Sequence, residues 1–582
     1  MTDLLITDHE GWLLRSLKKV DGYLLLVILI SCYIPLIGVN LYFRHDDAGT
    51  LLWAMEFKKN FLLAFDPRPW FDEYNKYNGV GGYYRPFESL YIMLLIRLFG
   101  PQPFYFQLIN GLMIITTLVF IYKIATLLSN RLAGLLSILV FHAAFQSLQY
   151  GLFHVVVPFG FFFEIITFYL FLKGLTHNQL RPILWGFLLL IPATNRQTTG
   201  LILVAMVIIY FLFHWRDATF TIRQRLLILF LAALPNAVIS FSGHSSNATV
   251  LNEHLSQNGF LAFILERLDF YSDILTRGLT GAVLLTIFSL FGLGQVLRSR
   301  RLSPWNRKLA YVFILPFSLL LAAAFLKFQL LGKLFLLVML ILIFIVQEKL
   351  RPIVIWAVGS VCLFSVIFFY HDAYLLEAAL ALSIISGILL FQYLKLLQQE
   401  LSLSWRPQLA RILSIASPVL IVAVGVVAWR VPSLPMIGNK VEAVKILIET
   451  NQNFKDMFEY LARELPPNAR VFQLSDEFMG LAPQQRRFLP LRERAENVKV
   501  IDIMDSNVMI KVLGRYDIQF KHAEGLTLGI PDNCVFIVHN RREQQMAERI
   551  FELAPIKQFQ RQNTAATVYR VLSMKENPFH ID

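Results

Sequence analysis

Long apolar runs separated by short polar turns fill the first 430 residues of the chain. Most of these runs hold about 17–25 residues, enough for a helix to cross a hydrocarbon core of about 30 Å. The fifth run is the shortest. The pattern predicts thirteen membrane-spanning helices, near 22–42, 104–128, 131–147, 154–174, 182–193, 198–214, 226–242, 275–297, 309–326, 329–347, 352–370, 374–395 and 412–429.

Basic residues alternate along these spans and predict their orientation. With the N-terminus inside, the inside segments hold clusters of Lys and Arg, as the positive-inside rule expects. They are Arg15, Lys18, Lys19, Arg131, Lys173, Arg181, Arg216, Arg223, Arg225, Arg298, Arg300, Arg301, Arg307, Lys308, Lys349, Arg351, Arg406 and Arg411. The segment 44–103 and everything after residue 430 are then predicted to lie outside.

The first outer loop, 44–103, departs from the short-turn pattern. It is long, rich in aromatic residues, and carries equal numbers of acidic and basic side chains. Loops of this length in compact proteins usually serve a function. Within it, 49–65 is predicted to be an amphipathic helix lying in the interface. The stretch 86–99 is predicted to be either a second such helix or a short re-entrant one.

The composition changes after the last predicted span. Pro432 and Pro435 end that helix, and the segment from about 437 has the composition of a soluble domain. We predict a small α/β domain over 437–582, on the outer side, following a transmembrane domain over 1–430. Its predicted elements are a helix at 440–463, buried strands at 469–474 and 533–539, a helix at 541–553 and a closing strand at 565–572.

Composition supports the same fold class. Hydrophobic residues make up 56% of the chain and charged residues 16%, whereas a soluble protein carries about a quarter charged residues. The net charge of +13 reflects Lys and Arg in the turns, so we expect membrane lipids and no nucleic acid as partners. Three cysteines form no disulfide or metal framework. The fold class predicted is a polytopic α-helical membrane protein with a small C-terminal α/β domain.

The candidate chemistry gathers on the predicted outer face. Asp46 and Asp47 follow the first span, and one of two adjacent carboxylates can hold its proton more tightly. A general base is one interpretation, and a cap for the following helix is the other. Candidate substrate-binding residues on the same face are His45, Tyr84, Arg85, Arg196, Lys327, His371 and Asp372. Arg85 could instead snorkel to the interface, Arg196 could pair with a carboxylate, His371 could be structural, and Lys327 and Lys333 could be interfacial anchors.

Three motifs resemble the GT-C class of membrane glycosyltransferases, in its protein O-mannosyltransferase-like and aminoarabinose-transferase-like branch. They are Asp46-Asp47, then Tyr84-Arg85-Pro86-Phe87 followed by Gln107-Leu108-Ile109-Asn110, and His371-Asp372-Ala373-Tyr374-Leu375. Gln107 and Ala373 depart from the family's His and Arg, and Asn195-Arg196-Gln197 stands where Lys-Glu is often seen.

The resemblance implies a polyprenyl-phosphate sugar donor, transfer with inversion, and one first-loop aspartate as the base on an acceptor hydroxyl. The acceptor could be a lipid, a glycan or a protein. No cofactor is implied with certainty, and a divalent cation held by the two carboxylates and a His is left open. A bacterial inner membrane, with the site and C-terminal domain on the periplasmic side, is the expected location.

Two other functions remain open from the sequence. A transporter or lipid flippase predicts charged residues near the bilayer midplane and paired broken helices in two repeated halves. Here the polar groups lie toward one face, and thirteen spans do not divide equally. A non-catalytic assembly subunit is the other alternative, because of the departures from the family motifs. Glu164, an acid deep within a span, is left out of the site.

Overall fold

The fold is taken from a computed structural model of the chain. It describes residues 21–38, 86–99, 103–145, 148, 152, 157–193, 197–214, 220–242, 260–299, 304–365 and 375–402. In the C-terminal part it describes 470–474, 499–503, 534–538, 551–562 and 564–574, with single residues between 449 and 548.

Helices dominate the described part of the chain before residue 403. They are α1 (Gly22–Ser31), α2 (Tyr33–Gly38), α3 (Pro86–Phe99), α4 (Pro103–Leu128), α5 (Arg131–Ala144), α6 (Val157–His177), α7 (Leu180–Ala193), α8 (Gln197–Phe213), α9 (Ile222–Ser242), α10 (Phe260–Thr276), α11 (Gly278–Ser299), α12 (Pro304–Lys327), α13 (Gln329–Val346), α14 (Arg351–Ser365) and α15 (Leu376–Ser402). A 3-10 turn, Glu348–Leu350, joins α13 to α14.

Five of the described helices are long and apolar enough to cross a membrane. They contain the segments Phe104–Leu128, Val157–His177, Gly278–Leu297, Gln329–Val346 and Leu376–Leu397, and further apolar helices are shorter. The predicted class, a polytopic α-helical membrane protein, is confirmed. The predicted span at 412–429 and the predicted interfacial helix at 49–65 lie outside the described residues.

The first predicted span, 22–42, is two helices rather than one in its described part. α1 ends at Ser31, and α2 starts at Tyr33 after a turn at Cys32. Pro35 explains the interruption, because its ring has no N–H to donate and crowds the carbonyl four residues earlier.

The core of the bundle forms around α15, whose described side chains are buried along most of its length. α5 packs very closely against it. A Cβ built at Gly387 on α15 would lie 2.6 Å from the Ser137 Cα of α5 and nearer still to its backbone nitrogen. Small residues allow such close helix approach in membrane proteins. α14 joins the same core through Trp356, which meets Phe168 of α6 edge-to-face at 4.9 Å between ring centroids.

One end of the bundle collects the basic residues that the positive-inside rule assigned to the inside. Asp21 caps α1, accepts a hydrogen bond from the Tyr122 hydroxyl at 2.7 Å and lies 3.5 Å from the Arg131 guanidinium. The Arg351 guanidinium stacks 3.9 Å from the ring centre of Phe213. We call this the predicted inner end. The opposite end, holding Asn110, Ala144, Phe159 and Lys327, is the predicted outer end.

The C-terminal part is a five-stranded mixed sheet of order β2-β1-β3-β5-β4. Its strands are β1 (Arg470–Leu474), β2 (Lys499–Ile503), β3 (Cys534–Val538), β4 (Phe551–Gln560) and β5 (Ala565–Met574). β1 pairs in parallel with β2 and β3, while β5 runs antiparallel to β3 and β4. The strands predicted at 469–474, 533–539 and 565–572 are confirmed as β1, β3 and β5.

The helix predicted at 541–553 is wrong in its last turn, because β4 begins at Phe551. β4 is an edge strand, where a proline such as Pro555 is tolerated because the outer side donates to no neighbour. Irregularities at Glu552/Leu553 and Pro555/Lys557 shift its register and hide the alternating strand pattern. The residues of the predicted helix 440–463 are mostly outside the described part, and the boundary at 437 stays a prediction.

Candidate functional site

Most of the predicted site residues fall in the connecting segments. Asp46, Asp47, His45, Tyr84, Arg85, Arg196, His371 and Asp372 all lie outside the described residues, so their roles stay predictions. Lys327 is described. The helices that flank the other predicted site residues are also described. Their ends show where the chain leaves the bundle toward each of those residues and where it returns.

Lys327 is the last residue of α12, at the predicted outer end. Its side chain is exposed, and its ammonium lies 5.9 Å from the centre of the Phe328 ring. Among the described residues it forms no ion pair. The C-terminus of a helix stabilises a cation by the helix dipole. Lys327 therefore carries a solvent-exposed positive charge that no described carboxylate pairs.

Helices α2, α3 and α4 meet close to the first outer loop. A Cβ built at Gly111 of α4 would lie 2.9 Å from the Cβ of Pro35 on α2, so these two helices are in close contact. Gly38 ends α2 eight residues before Asp46 in the sequence. The chain therefore leaves the described bundle toward Asp46-Asp47 from the predicted outer part of α4.

A buried tyrosine fixes the other side of that loop. The Tyr91 hydroxyl of α3 donates a 2.6 Å hydrogen bond to Asn110 Oδ1, which neighbours Gly111 on α4. Its ring stacks on Phe159 of α6 with 4.8 Å between centroids. α3 begins at Pro86, a favourable first residue for a helix, directly after Tyr84-Arg85. Thus α2, which leads toward Asp46-Asp47, and α3, which follows Tyr84-Arg85, both contact α4. They do so at the adjacent residues Gly111 and Asn110.

A second polar group at this end is an ion cluster of Asp269, Asp273, Arg277, Gln329 and Lys333. The Lys333 ammonium lies 2.5 Å from Asp269 Oδ1 and 3.0 Å from Asp273 Oδ1. The Arg277 guanidinium lies 2.6 Å from Asp273 Oδ2 and donates a 2.6 Å hydrogen bond to Gln329 Oε1. The cluster joins α10 and the start of α11 to the start of α13.

The ion cluster is electrically balanced. Two carboxylates, Asp269 and Asp273, face two cations, Arg277 and Lys333, and both Lys333 and Asp273 are largely withdrawn from solvent, with side chains 15% and 18% exposed. A partly buried ammonium already paired with two carboxylates has little attraction left for a phosphate. Lys333 is therefore paired within the ion cluster, whereas Lys327 has no ion pair among the described residues, and the substrate-binding role of Lys327 stays a prediction.

The sequence pattern could have revealed the ion cluster in part. Asp269, Asp273 and Arg277 are spaced four residues apart, so one helix places them on one face. The hydropathy pattern predicts an outer loop that includes 260–274, whereas the structure has α10 over Phe260–Thr276, separated by Arg277 from α11, which begins at the positive-φ Gly278. The pairing with Lys333 depends on the packing of α10 against α13.

Three acids are buried on the described helices, Glu88 of α3, Glu164 of α6 and Glu377 of α15. Glu164 is fully buried, as expected for a residue deep in a span. Glu377, which the hydropathy pattern does not single out, is equally buried in the first turn of α15, where the Ser360 hydroxyl of α14 lies 3.4 Å from its Oε2. Glu377 follows the His371-Asp372 motif by five residues. It belongs to the contact between α14 and α15 at the predicted outer end.

No group of three His, Cys, Asp or Glu side chains with the arrangement of a metal site occurs among the described residues. Asp46, Asp47 and His45, which raised the question of a divalent cation, are outside that part of the chain.

Comparison with known proteins yields distant structural likeness. Two crystal structures of ArnT from Cupriavidus metallidurans, one bound to undecaprenyl phosphate and one in the apo state, align with 12% identity and a TM-score of 0.44. Each alignment covers 94% of this chain and 98% of the ArnT chain. No protein-family model and no curated protein sequence matches.

Proposed function

We propose that this chain is an inverting glycosyltransferase that moves a sugar from a polyprenyl-phosphate donor to an acceptor hydroxyl at the outer face of a membrane. The observation that carries the proposal is the meeting of α2, α3 and α4 through Pro35–Gly111 and Tyr91–Asn110. It supports a site in which Asp46-Asp47 and Tyr84-Arg85, separated by 36 residues or more, face the same part of the bundle.

The remaining candidate segments flank helix ends on the same side of the bundle. Arg196 immediately precedes α8, and Lys327 ends α12. His371 and Asp372 lie between the end of α14 and the start of α15. At the predicted inner end, the Tyr210 hydroxyl near the end of α8 donates a 2.7 Å hydrogen bond to the Leu175 carbonyl near the end of α6. The start of α8, which Arg196 precedes, therefore points toward the predicted outer end.

In the proposed reaction, the Asp46 carboxylate takes the proton of the acceptor hydroxyl as its oxygen attacks the anomeric carbon of the donor. The bond from that carbon to the phosphate oxygen breaks, and the polyprenyl phosphate leaves with the electron pair. Attack opposite the leaving group inverts the anomeric configuration. Asp47 supports Asp46 or exchanges roles with it.

The leaving phosphate gains negative charge, so cations that meet it lower the barrier. Arg85, Arg196 and Lys327 are the proposed ligands, with His45, Tyr84, His371 and Asp372 lining the substrate side. Arginine holds phosphate oxygens in two-point geometry, and lysine adds a point charge. Lys327 has no ion pair among the described residues, whereas Lys333 and Arg277 are paired within the ion cluster.

The membrane location is part of the same proposal. We place the chain in a bacterial inner membrane, with the candidate site and the C-terminal sheet on the periplasmic side. A polyprenyl tail would lie among the apolar helices, and the acceptor, whether lipid, glycan or protein, would approach from the aqueous side.

A transfer assay on the purified full chain tests the proposal. Radiolabelled polyprenyl-phosphate sugars would be offered with total envelope extract as acceptor, using the wild type, Asp46→Asn and Asp47→Asn. Asp269→Asn is the matched control, because it removes a carboxylate at the predicted outer end whose side chain is 70% exposed and belongs to the ion cluster. We expect transfer by the wild type and the control, and loss of transfer in Asp46→Asn with the protein still folded.

Other outcomes would favour the alternative functions. Full turnover by Asp46→Asn would reject the assignment of the base. No transfer from any donor, together with movement of labelled lipid across liposomes by the wild type, would indicate a flippase. No transfer and binding of a partner through 440–582 would indicate an assembly subunit.

A further inference from the structure

A polar cavity of about 620 Å³ opens at the predicted inner end of the bundle, away from the proposed site. Three segments enclose it. They are the end of α4 and its following turn, Leu128, Ser129 and Asn130; the end of α13 with the 3-10 turn, 345–350; and one face of α15, Ile388, Phe391, Gln392 and Lys395. A cavity of this size falls in the range of small-molecule sites.

The charges that line the cavity favour an anion. Lys349 and Lys395 contribute two exposed ammonium groups, and Glu348 is the acid of the lining. Glu348 lies 3.7 Å from the Arg351 guanidinium, which is itself 12% exposed, so its charge is compensated from outside the cavity. Neither lysine forms an ion pair among the described residues. Within the described part of the chain, the cavity therefore carries two positive charges that no carboxylate compensates.

Neutral polar groups form the rest of the binding surface. The Gln347 and Gln392 amides pair with each other at 3.3 and 3.5 Å, weak hydrogen bonds that a ligand can replace. Asn130 caps α5 through Oδ1, which leaves its side-chain NH2 group to donate. Ile345 and Val346, at the cavity edge, expose 61% and 58% of their surfaces on the lipid-facing helix α13. The cavity thus joins a cationic interior to an apolar, lipid-facing edge.

We propose that this cavity binds the phosphate of one anionic phospholipid headgroup, with the acyl chains lying along the end of α13. Basic pockets between helices on the inner side of a membrane bind anionic lipid headgroups in this way. The lysines supply the charge, and the Gln347, Gln392 and Asn130 amides supply hydrogen bonds to phosphate and headgroup oxygens. The site does not depend on the proposed glycosyltransferase activity, so each proposal can fail alone.

Orientation alone could also explain lysines at this end, because inner turns are generally basic. A matched pair of double variants separates the two explanations. Lys349→Gln with Lys395→Gln removes two charges from the cavity. Lys173→Gln with Arg181→Gln removes two charges from the α6–α7 turn at the same end, outside the cavity lining.

The measurement is lipid binding to the full chain by native mass spectrometry, with phosphatidylglycerol, phosphatidylethanolamine and inorganic phosphate as separate probes. We expect one phosphatidylglycerol bound at least tenfold more tightly than phosphatidylethanolamine. The cavity variant should lose this preference at least tenfold, and the turn variant should stay within twofold of the wild type. A photoactivatable phosphatidylglycerol should label 345–350 or 388–395.

Several results would overturn the proposal. Equal losses in both double variants would mean general attraction to a basic surface. Undiminished binding by the cavity variant, or labelling away from the three segments that line the cavity, would place the lipid elsewhere. Equal binding of phosphatidylethanolamine would remove the role of charge, and competition by inorganic phosphate at a concentration equal to that of the lipid would identify a soluble phosphate site instead.

Discussion

Replacing Gly387 by alanine tests the central contact of the bundle. Gly387 lies on α15, where a Cβ would sit 2.6 Å from the Ser137 Cα of α5 and would also meet the Ser137 backbone nitrogen and Oγ. Carbon atoms in contact are normally about 3.5–4.0 Å apart. The helices must therefore separate by about 1 Å to admit the methyl group, because the obstacle is backbone rather than the end of a flexible side chain.

The magnitude follows from two opposing effects. Overpacking a tight interior costs about 1–3 kcal/mol, and a clash with backbone belongs at the upper end of that range. Alanine is favoured over glycine within a helix by about 0.8–1.0 kcal/mol. The net expectation for Gly387→Ala is a loss of about 2 kcal/mol. Gly294→Ala on α11 is the control, because a Cβ there meets nothing within 4 Å and the same helix preference applies.

The assay is thermal unfolding of both variants in the same detergent, followed by far-ultraviolet circular dichroism of the helices. The expected order of midpoints is Gly294→Ala at or above the wild type, and Gly387→Ala below it. A Gly387→Ala midpoint equal to or above that of the wild type would refute the close approach of α5 and α15. Since α15 begins shortly after His371 and Asp372, we also expect Gly387→Ala to reduce sugar transfer.

Three further predictions concern the predicted outer end. Asp273→Asn should lower the unfolding free energy by about 1–3 kcal/mol, because Asp273 pairs with two cations in a partly buried setting, whereas Asp269→Asn should cost under about 1 kcal/mol at its exposed position. Equal thermal unfolding midpoints for the two variants would contradict this prediction. Tyr91→Phe should cost about 1–2 kcal/mol through its lost hydrogen bond while keeping the ring stacking, and an unchanged midpoint would argue against that bond. Lys327→Gln should raise the donor concentration for half-maximal transfer about tenfold, and Lys327→Arg should stay near the wild type. Steady-state kinetics that show no difference between Lys327→Gln and the wild type would exclude Lys327 from the site.

The bundle was largely predictable because lipid imposes a simple rule on the sequence. Each spanning helix must be apolar over most of its length, and α4, α6 and α13 start and end within a few residues of the predicted spans. The interruption at Cys32 escaped prediction because a single proline, Pro35, acts on geometry without changing the apolar run. Hydropathy detects membrane burial, and it does not detect where a helix bends.

The strands of the C-terminal sheet were less predictable from the sequence than the helices of the bundle. β1 and β3 are inner strands with short apolar runs, and both were predicted. β2 and β4 are edge strands, paired on one side, and neither was predicted. An edge strand has a weaker burial signal, and the two register shifts in β4 break the period-2 pattern that identifies a strand. β2 is held by pairing with β1 from an earlier part of the chain, and β4 by its hairpin partner β5. The apolar pattern within each edge strand does not show this pairing.

In the candidate site, too, local sequence predicted some features, and others depend on contacts between distant parts of the chain. Residue types marked the charged turns, but only the packing of α10 against α13 distinguishes a compensated cation from an available one. Lys333 and Lys327 are both lysines near the same helix junction, yet the first meets two carboxylates and the second ends a helix with no ion pair among the described residues. Under the proposed function, a donor phosphate at this end would meet Lys327 and arginines of the connecting segments. Arg85 and Arg196 are the two arginines that the motifs supply. Replacing one of these arginines together with Lys327 should therefore weaken donor binding more than replacing that arginine or Lys327 alone.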